Sequence, residues 1–222
     1  MTTTLATNIR TLVPLFADLA LLARSNRHYR QDMGRKRTID REATMLAIES
    51  VVRRHGVGGL SIDAVAKEVG ISKSSVVYDF KNKAGLLAAF TRSRLDAHAH
   101  HIEENLPADD LPNRWLRALV KCSEESPSDE EASVAMIISS AMSSEAECHT
   151  LMCSEITQCF DRVIAEASNP RSALLAYLAL HGVKSLEFFG FRSFDPESRR
   201  QLLDDIGKLL QDKPPISAPN AS

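Results

Sequence analysis

The chain contains 222 residues, of which 44% are hydrophobic and 25% are charged, and its formal net charge is −2. These values are ordinary for a globular protein with a buried core and exclude a low-complexity chain. Only 5% of the residues are aromatic, which disfavours a sheet-rich architecture. Because the sequence has no window of 18 apolar residues, it predicts no membrane-spanning helix.

The near-neutral net charge hides an asymmetry along the chain. Residues 33–94 carry twelve Lys and Arg against six Asp and Glu, whereas residues 95–222 carry eleven against twenty-one. A basic segment joined to an acidic one indicates a polyanionic partner for the first segment only.

The cysteines show no CxxC pair, and the chain is longer than a typical disulfide-rich secreted domain. The sequence therefore predicts reduced thiols and a cytoplasmic location. The four cysteines are Cys122, Cys148, Cys153 and Cys159.

Residues 1–32 allow three interpretations. The segment TLVPLFADLALLARS has a short apolar run between Arg10 and Arg24 that suits a signal peptide, although Asp18 interrupts it. The same segment is consistent with an amphipathic N-terminal helix. Alternatively, MGRKRTID has the character of a natural beginning, so that translation starts at Met33 and residues 1–32 are an extension.

Four helices are predicted from residue 40 to about residue 102, where apolar residues recur at helical spacing. Glycines end the first two of these helices, and serine or asparagine side chains are placed to cap the later three. The glycines are Gly56 and Gly70, and the predicted N-caps are Ser61, Ser72 and Asn82.

Five more helices are predicted after the NLPADDLP segment. Pro112 suits the first position of the fifth helix. No segment shows a convincing period-two alternation, so the prediction is an all-α fold of about nine helices. It divides into a helix-turn-helix domain at residues 33–84, a helical domain at residues 85–212 and a disordered, proline-rich tail at residues 213–222.

Two short helices joined by a glycine-containing turn, after a preceding helix, match the helix-turn-helix motif. Apolar residues of these helices can form a small core, and the outer side of the second helix is then polar and suits a DNA major groove. The predicted core residues are Val65, Ala66, Val69, Ile71, Val76 and Phe80. The predicted outer residues are Lys73, Ser74, Ser75, Val77 and Tyr78, followed by Lys81 and Lys83 at the helix end.

The segment LSIDAVAKEVGISKSSVVYDFKNKAGLL resembles the DNA-binding region of the tetracycline-repressor (TetR) family of bacterial regulators. The resemblance covers about residues 38–90 and implies phosphate contacts by Ser61 and Lys83. It also implies groove-facing positions at Lys73, Ser74 and Ser75. Tyr78 occupies the second of two positions that are frequently aromatic in the family. The first is Val77 here, which cannot donate to phosphate and would at most touch a thymine methyl group.

The resemblance also implies a homodimer built from the last two helices. The segment ALLAYLALHGVKSLEFFGF is apolar over more than one stripe, which independently allows a second subunit to cover it, although a central helix in a monomeric bundle would look similar. The predicted interface residues are Leu174, Leu178, Leu186, Phe189, Leu202, Ile206 and Leu209.

A pocket for a small apolar ligand is expected among the middle helices, where Met and aromatic side chains adapt to varied shapes. For each single candidate, ordinary core packing is the default interpretation. The candidate residues are Trp115, Met136, Met142, Met152, Cys159 and Phe160.

Metal and catalytic sites are not favoured by the sequence. His98 and His101 lie three apart in DAHAHHIEE, but no third ligand is evident, and a solvated helix face is the default interpretation. Cys148 and Cys153 are five apart, which spreads them over different faces of a helix. The prediction is a DNA-binding transcriptional regulator without a cofactor, a repressor released from a palindromic operator by a ligand. A ligand-dependent activator, a regulator without a ligand and an all-α enzyme using a Cys–His pair are the alternatives.

Overall fold

A computed structural model describes residues 40–211 of the chain, and these residues form nine α-helices and no strand. The predicted all-α fold is therefore confirmed. The proposed start at Met33 and the predicted tail at residues 213–222 lie outside the described residues. The helices are α1 (Arg41–Gly59), α2 (Ile62–Val69), α3 (Lys73–Phe80), α4 (Lys83–Glu104), α5 (Arg114–Cys122), α6 (Asp129–Ser144), α7 (Ala146–Glu166), α8 (Pro170–Phe188) and α9 (Pro196–Lys208).

The ends of the N-terminal helices follow the local sequence signals. The side chains of Ser61, Ser72 and Asn82 each accept a hydrogen bond from a backbone N–H in the first turn of α2, α3 and α4, which confirms all three predicted N-caps. Gly70 ends α2 in the left-handed conformation, with a φ of 73°. Gly56 interrupts the last turns of α1 with a φ of 67°, close to the predicted end of that helix.

Helix α5 does not begin where the sequence predicts. Pro112 was expected at its first position, but the helix begins at Arg114, after Asn113 in the left-handed region with a φ of 60°. Contacts with distant residues hold Asn113 there, because its N–H donates to the Glu166 carbonyl and its side chain donates to the Leu210 carbonyl. The Glu166 carboxylate then accepts from the Trp115 N–H at 2.7 Å and serves as the missing cap.

Two hydrophobic clusters hold the described helices together. The first cluster joins α1–α3, hereafter the N-terminal head, to α4, α6 and α7, and it contains Ile48, Val76 and Ile138. The second cluster is built mainly from α5, α7, α8 and α9 around Trp115 and Tyr177. The helices α4–α9 are hereafter the bundle. Since α4 begins at Lys83 and runs on for 22 residues, the predicted domain boundary at residue 84 falls inside its first turn.

None of the nine helices within residues 40–211 is both long enough and apolar enough to cross a membrane.

Candidate nucleic-acid interface

Helices α2 and α3 form the predicted pair of short helices. The link between them is Gly70–Ser72, and the Ile71 N–H donates to the Ala66 carbonyl, which fixes the turn. Val65, Val76 and Phe80 are buried beneath the two helices, and Val69 and Ile71 are partly buried against the same cluster. This small core sets the orientation of α3 and determines which of its side chains face outward.

The outer side of α3 is accessible to a partner. Tyr78 is 87% exposed, and Val77 is also exposed although it is apolar. Lys73 and Ser74 are exposed, and Ser75 is half-buried. The surface therefore combines an ammonium, hydroxyls, a phenol and one aliphatic side chain on a helix of eight residues.

Serine hydroxyls at the start of α3 form a local network. The Ser72 Oγ accepts from the Ser75 N–H and lies 2.9 Å from the Ser74 Oγ and 2.7 Å from the Ser75 Oγ. A hydroxyl has one donor and two acceptor positions. Ser74 and Ser75 therefore keep free hydrogen-bonding capacity, but their orientation is already restricted by Ser72.

Lys73 forms an ion pair with Asp63 of α2. The Nζ–Oδ2 distance is 2.9 Å, and the two side chains are 63% and 67% exposed. Exposed pairs of this kind contribute about 0–1 kcal/mol. A phosphate group can therefore replace Asp63 as the partner of Lys73 at little cost, while Asp63 reduces the positive charge of this surface until that happens.

The remaining predicted contact residues lie at the edges of α2 and α3. Ser61 is exposed, but its hydroxyl is engaged as the N-cap of α2. Lys81 is exposed and follows α3 with a φ of 64°, which is unusual for a residue other than glycine. Lys83 differs from expectation, because its half-buried ammonium donates to the Val57 carbonyl at 2.6 Å and so ties α4 to the end of α1. An ammonium has three donors, so two remain for a phosphate.

Gly85 was not identified from the sequence as a residue that positions this surface. A Cβ atom at this position would overlap the Phe80 carbonyl oxygen and lie 3.1 Å from the Phe80 carbonyl carbon. Only glycine therefore lets the first turn of α4 approach the end of α3 so closely. The residue types around Gly85 give no local signal of this contact, because it depends on how α3 and α4 pack.

The predicted ligand-pocket residues do not meet in one cavity. Met142 and Met152 are buried in the first cluster, whereas Trp115, Cys159 and Phe160 belong to the second. Met136 is 53% exposed, contrary to its expected place among the middle helices. The buried face of α6 contains residues 134, 135, 138, 141 and 142, and position 136 lies opposite it on the helix.

Among residues 40–211, two clefts lie at the surface, and Met136 is the one candidate of the six that lines either of them. A cleft of about 590 Å³ separates α5 from α9 and is lined by Leu111, Val120 and Leu203. A second cleft, of about 450 Å³, lies between the head and α6, where Val57 and Met136 face it.

The predicted dimer residues divide into exposed and buried groups. Leu178, Leu186 and Leu209 are exposed, and so is Leu175, which was not among the predicted interface residues. Ile206 is buried within its own chain in the second cluster. Phe189 is partly buried against the first cluster, and Leu174 and Leu202 are partly buried against the second.

The histidine and cysteine motifs have structural surroundings. His98 is buried on α4, so the expected solvated helix face was wrong for this residue. Cys148 is buried and Cys153 is exposed, which confirms that they lie on different faces of α7. Burial raises the pKa of the Cys148 thiol. Within residues 40–211, no group of three His, Cys, Asp or Glu side chains is arranged to hold a metal ion.

Comparison with known proteins gives matches to both parts of the chain. Residues 46–90 match the model of bacterial regulatory proteins of the tetR family, and residues 113–211 match the tetracyclin repressor-like C-terminal domain. The HTH-type transcriptional regulator BetI of Pseudomonas aeruginosa is 36% identical over 81 residues. That alignment covers 36% of this chain and 39% of BetI.

Solved structures with the same fold cover most of the chain. A transcriptional regulator from Rhodococcus sp. Rha1 has a TM-score of 0.62 at 20% identity, covering 77% of this chain and 96% of its own. The multidrug binding protein EbrR, in complex with malachite green, has a TM-score of 0.61 at 18% identity, covering 78% of this chain and 99% of its own.

Proposed function

The chain belongs to the TetR family of bacterial regulatory proteins, and from this membership we propose that it is a transcriptional regulator that binds an operator through α3. The observation that carries the proposal is the outward face of α3, from Lys73 to Tyr78, held above a buried apolar core. This combination of exposed hydrogen-bonding groups and a rigid support is what major-groove recognition requires.

The residues of this face have different proposed roles. Ser74 and Ser75 read base edges, where their small side chains allow the helix backbone to approach the bases. Tyr78 binds a phosphate oxygen and fixes the register of the helix, and Lys73 faces the groove beside the two serines. Val77, exposed in place of a hydrogen-bonding aromatic residue, contacts a thymine methyl group. Ser61, Lys81 and the free donors of Lys83 add phosphate contacts at the edges of the surface.

We further propose that the protein acts as a homodimer through α8 and α9. Leu175, Leu178 and Leu186 are exposed on α8 and, with Gly182, recur at intervals of three or four residues. They therefore form one apolar stripe that another surface has to cover. A two-fold dimer holds two α3 helices about 34 Å apart, which predicts a palindromic operator.

A small molecule is proposed to regulate the binding. EbrR, which shares the fold, binds malachite green, and control of this chain by a small molecule is consistent with this precedent. Such a ligand dissociates the protein from DNA only if it binds one form more tightly than another. The favoured form must be one in which the spacing of the two N-terminal heads does not fit the operator. The location proposed for this regulator is the cytoplasm, where its free cysteines remain reduced.

Selection of bound DNA from a random pool, followed by titration at two salt concentrations, tests the proposal. We expect a palindromic consensus and a binding constant that falls steeply with salt, because lysine–phosphate contacts release counterions. Lys83→Ala should weaken binding to all sequences, whereas Ser74→Ala should change the preferred sequence more than the salt dependence. Binding without sequence preference would contradict the assignment of α3 as a reading helix.

A further inference from the structure

A buried ion pair connects the N-terminal head to the bundle. Glu49 of α1 accepts a hydrogen bond from Arg94 of α4 at 2.8 Å, and the two side chains are only 4% and 2% exposed. The second carboxylate oxygen of Glu49 accepts from Arg53 of α1 at 2.6 Å. Glu49 is therefore satisfied on both oxygens, and one of its partners lies on the first helix of the bundle.

The placement of Arg94 is fixed from two sides. Its guanidinium carbon lies 5.0 Å from the centre of the Phe90 ring, one turn earlier on α4. Burial lowers the pKa of Arg94, and the Glu49 carboxylate opposes that change. The guanidinium thus stays within hydrogen-bonding distance of one particular residue of the head.

Besides this pair and the hydrogen bond from Lys83 to the Val57 carbonyl, the contact between head and bundle is mainly apolar. Ile48 and Val51 of α1 belong to the same cluster as Ile137 and Ile138 of α6. Apolar burial is non-directional, so these contacts tolerate small rotations of one part against the other. A charge-assisted hydrogen bond requires a defined distance and angle, so it tolerates such rotations less well than the apolar contacts do.

A buried ion pair is weak evidence for stability, since well-packed apolar residues of similar size are often equally stabilising. What distinguishes the Glu49–Arg94 pair from the apolar contacts is that its hydrogen bond is directional. We propose that the Glu49–Arg94 pair positions the head on the bundle and thereby sets the half-site spacing that the dimer accepts. This inference depends on the proposed function, because it requires two DNA-reading heads in one molecule.

The test compares wild type with the double variant Glu49→Leu/Arg94→Met, which removes both charges and keeps most of the apolar volume. Arg53 remains solvated in this variant, because its side chain is half exposed. Arg94→Lys keeps a charge but loses the planar donor group, and Leu119→Ala, in the second cluster far from the junction, controls for lost stability. Each protein is titrated with the selected operator and with operators lengthened or shortened by one base pair at the centre.

We expect wild type to prefer its own spacing by about ten-fold, the order of a single mismatch. In the double variant the preference should fall to about three-fold or less while the denaturation midpoint stays within error of wild type or rises. Arg94→Lys should be intermediate, and Leu119→Ala should keep the wild-type preference despite a lower midpoint.

Two results would overturn the inference, and they are distinguishable. If the double variant keeps the wild-type spacing preference, the pair does not position the head, although the DNA-binding function stands. If wild type itself shows no preferred DNA sequence, the proposed function fails and this inference fails with it.

Discussion

Replacement of Gly85 by alanine should destabilise the protein and disturb α3. The added Cβ would overlap the Phe80 carbonyl oxygen, and this carbonyl cannot easily move, because it accepts from the Asn82 N–H at 2.7 Å. Overpacking costs about 1–3 kcal/mol, and overlap with a backbone atom that cannot easily move belongs to the upper part of this range, about 2–3 kcal/mol. The better helix propensity of alanine returns at most about 1 kcal/mol.

The expected net loss for Gly85→Ala is therefore about 1–2 kcal/mol, which lowers Tm by about 2–8 °C in a protein of this size. DNA binding should weaken as well, since the end of α3 has to shift away from α4. Thermal unfolding by circular dichroism and operator titration measure the two effects separately.

Gly207→Ala is the matched control, because a Cβ at Gly207 meets no atom within 4 Å in α9. It should raise the free energy of unfolding by about 0.4–1 kcal/mol, because alanine lowers the conformational entropy of the unfolded chain. If Gly85→Ala were as stable as Gly207→Ala, the close approach of α4 to α3 would not be what glycine provides at this position.

Other variants test the surface residues individually. Tyr78→Phe should weaken binding to every sequence by a few-fold to about ten-fold, the value of one hydrogen bond, with no change in Tm; a loss confined to one operator would contradict a phosphate contact. Asp63→Asn should strengthen binding by up to about five-fold for each protomer in a mobility-shift titration, because Lys73 loses its competing partner, whereas weaker binding would show that the ion pair orients Lys73. Leu178→Arg should give a folded monomer in sedimentation velocity, and a dimer of wild-type affinity would place the interface elsewhere. Iodoacetamide should modify Cys153 before any other cysteine of residues 40–211 in a mass-spectrometric time course, since the others are buried; early modification of a buried thiol would contradict the described packing.

The sequence predicted best the features that depend on neighbouring residues. Ser61, Ser72 and Asn82 cap their helices as expected, because an N-cap hydrogen bond joins residues three apart in the chain. The outward placement of Tyr78 follows equally from the burial of Val76 and Phe80 at helical spacing.

Features that depend on distant residues were not predictable in this way. The start of α5 is shifted from Pro112 because Glu166, on another helix, caps it instead. Lys83 was assigned to phosphate, and its bond to the Val57 carbonyl requires the packing of α4 against α1.

The exposure of α8 and α9 depends on how each helix is rotated against its neighbours. The rotation of α8 leaves Leu175 exposed, and that of α9 buries Ile206, although both residues are large and aliphatic.

Protection of the operator from dimethyl sulfate tests most directly whether α3 enters the major groove. The reagent methylates guanine N7 in the major groove and adenine N3 in the minor groove, so one experiment reports on the occupancy of both grooves. We predict protection of guanine N7 in two patches about ten base pairs apart, lost in a variant with Ser74, Ser75 and Tyr78 replaced by alanine. Protection of adenine N3 alone, or guanine protection that survives in this variant, would contradict the account.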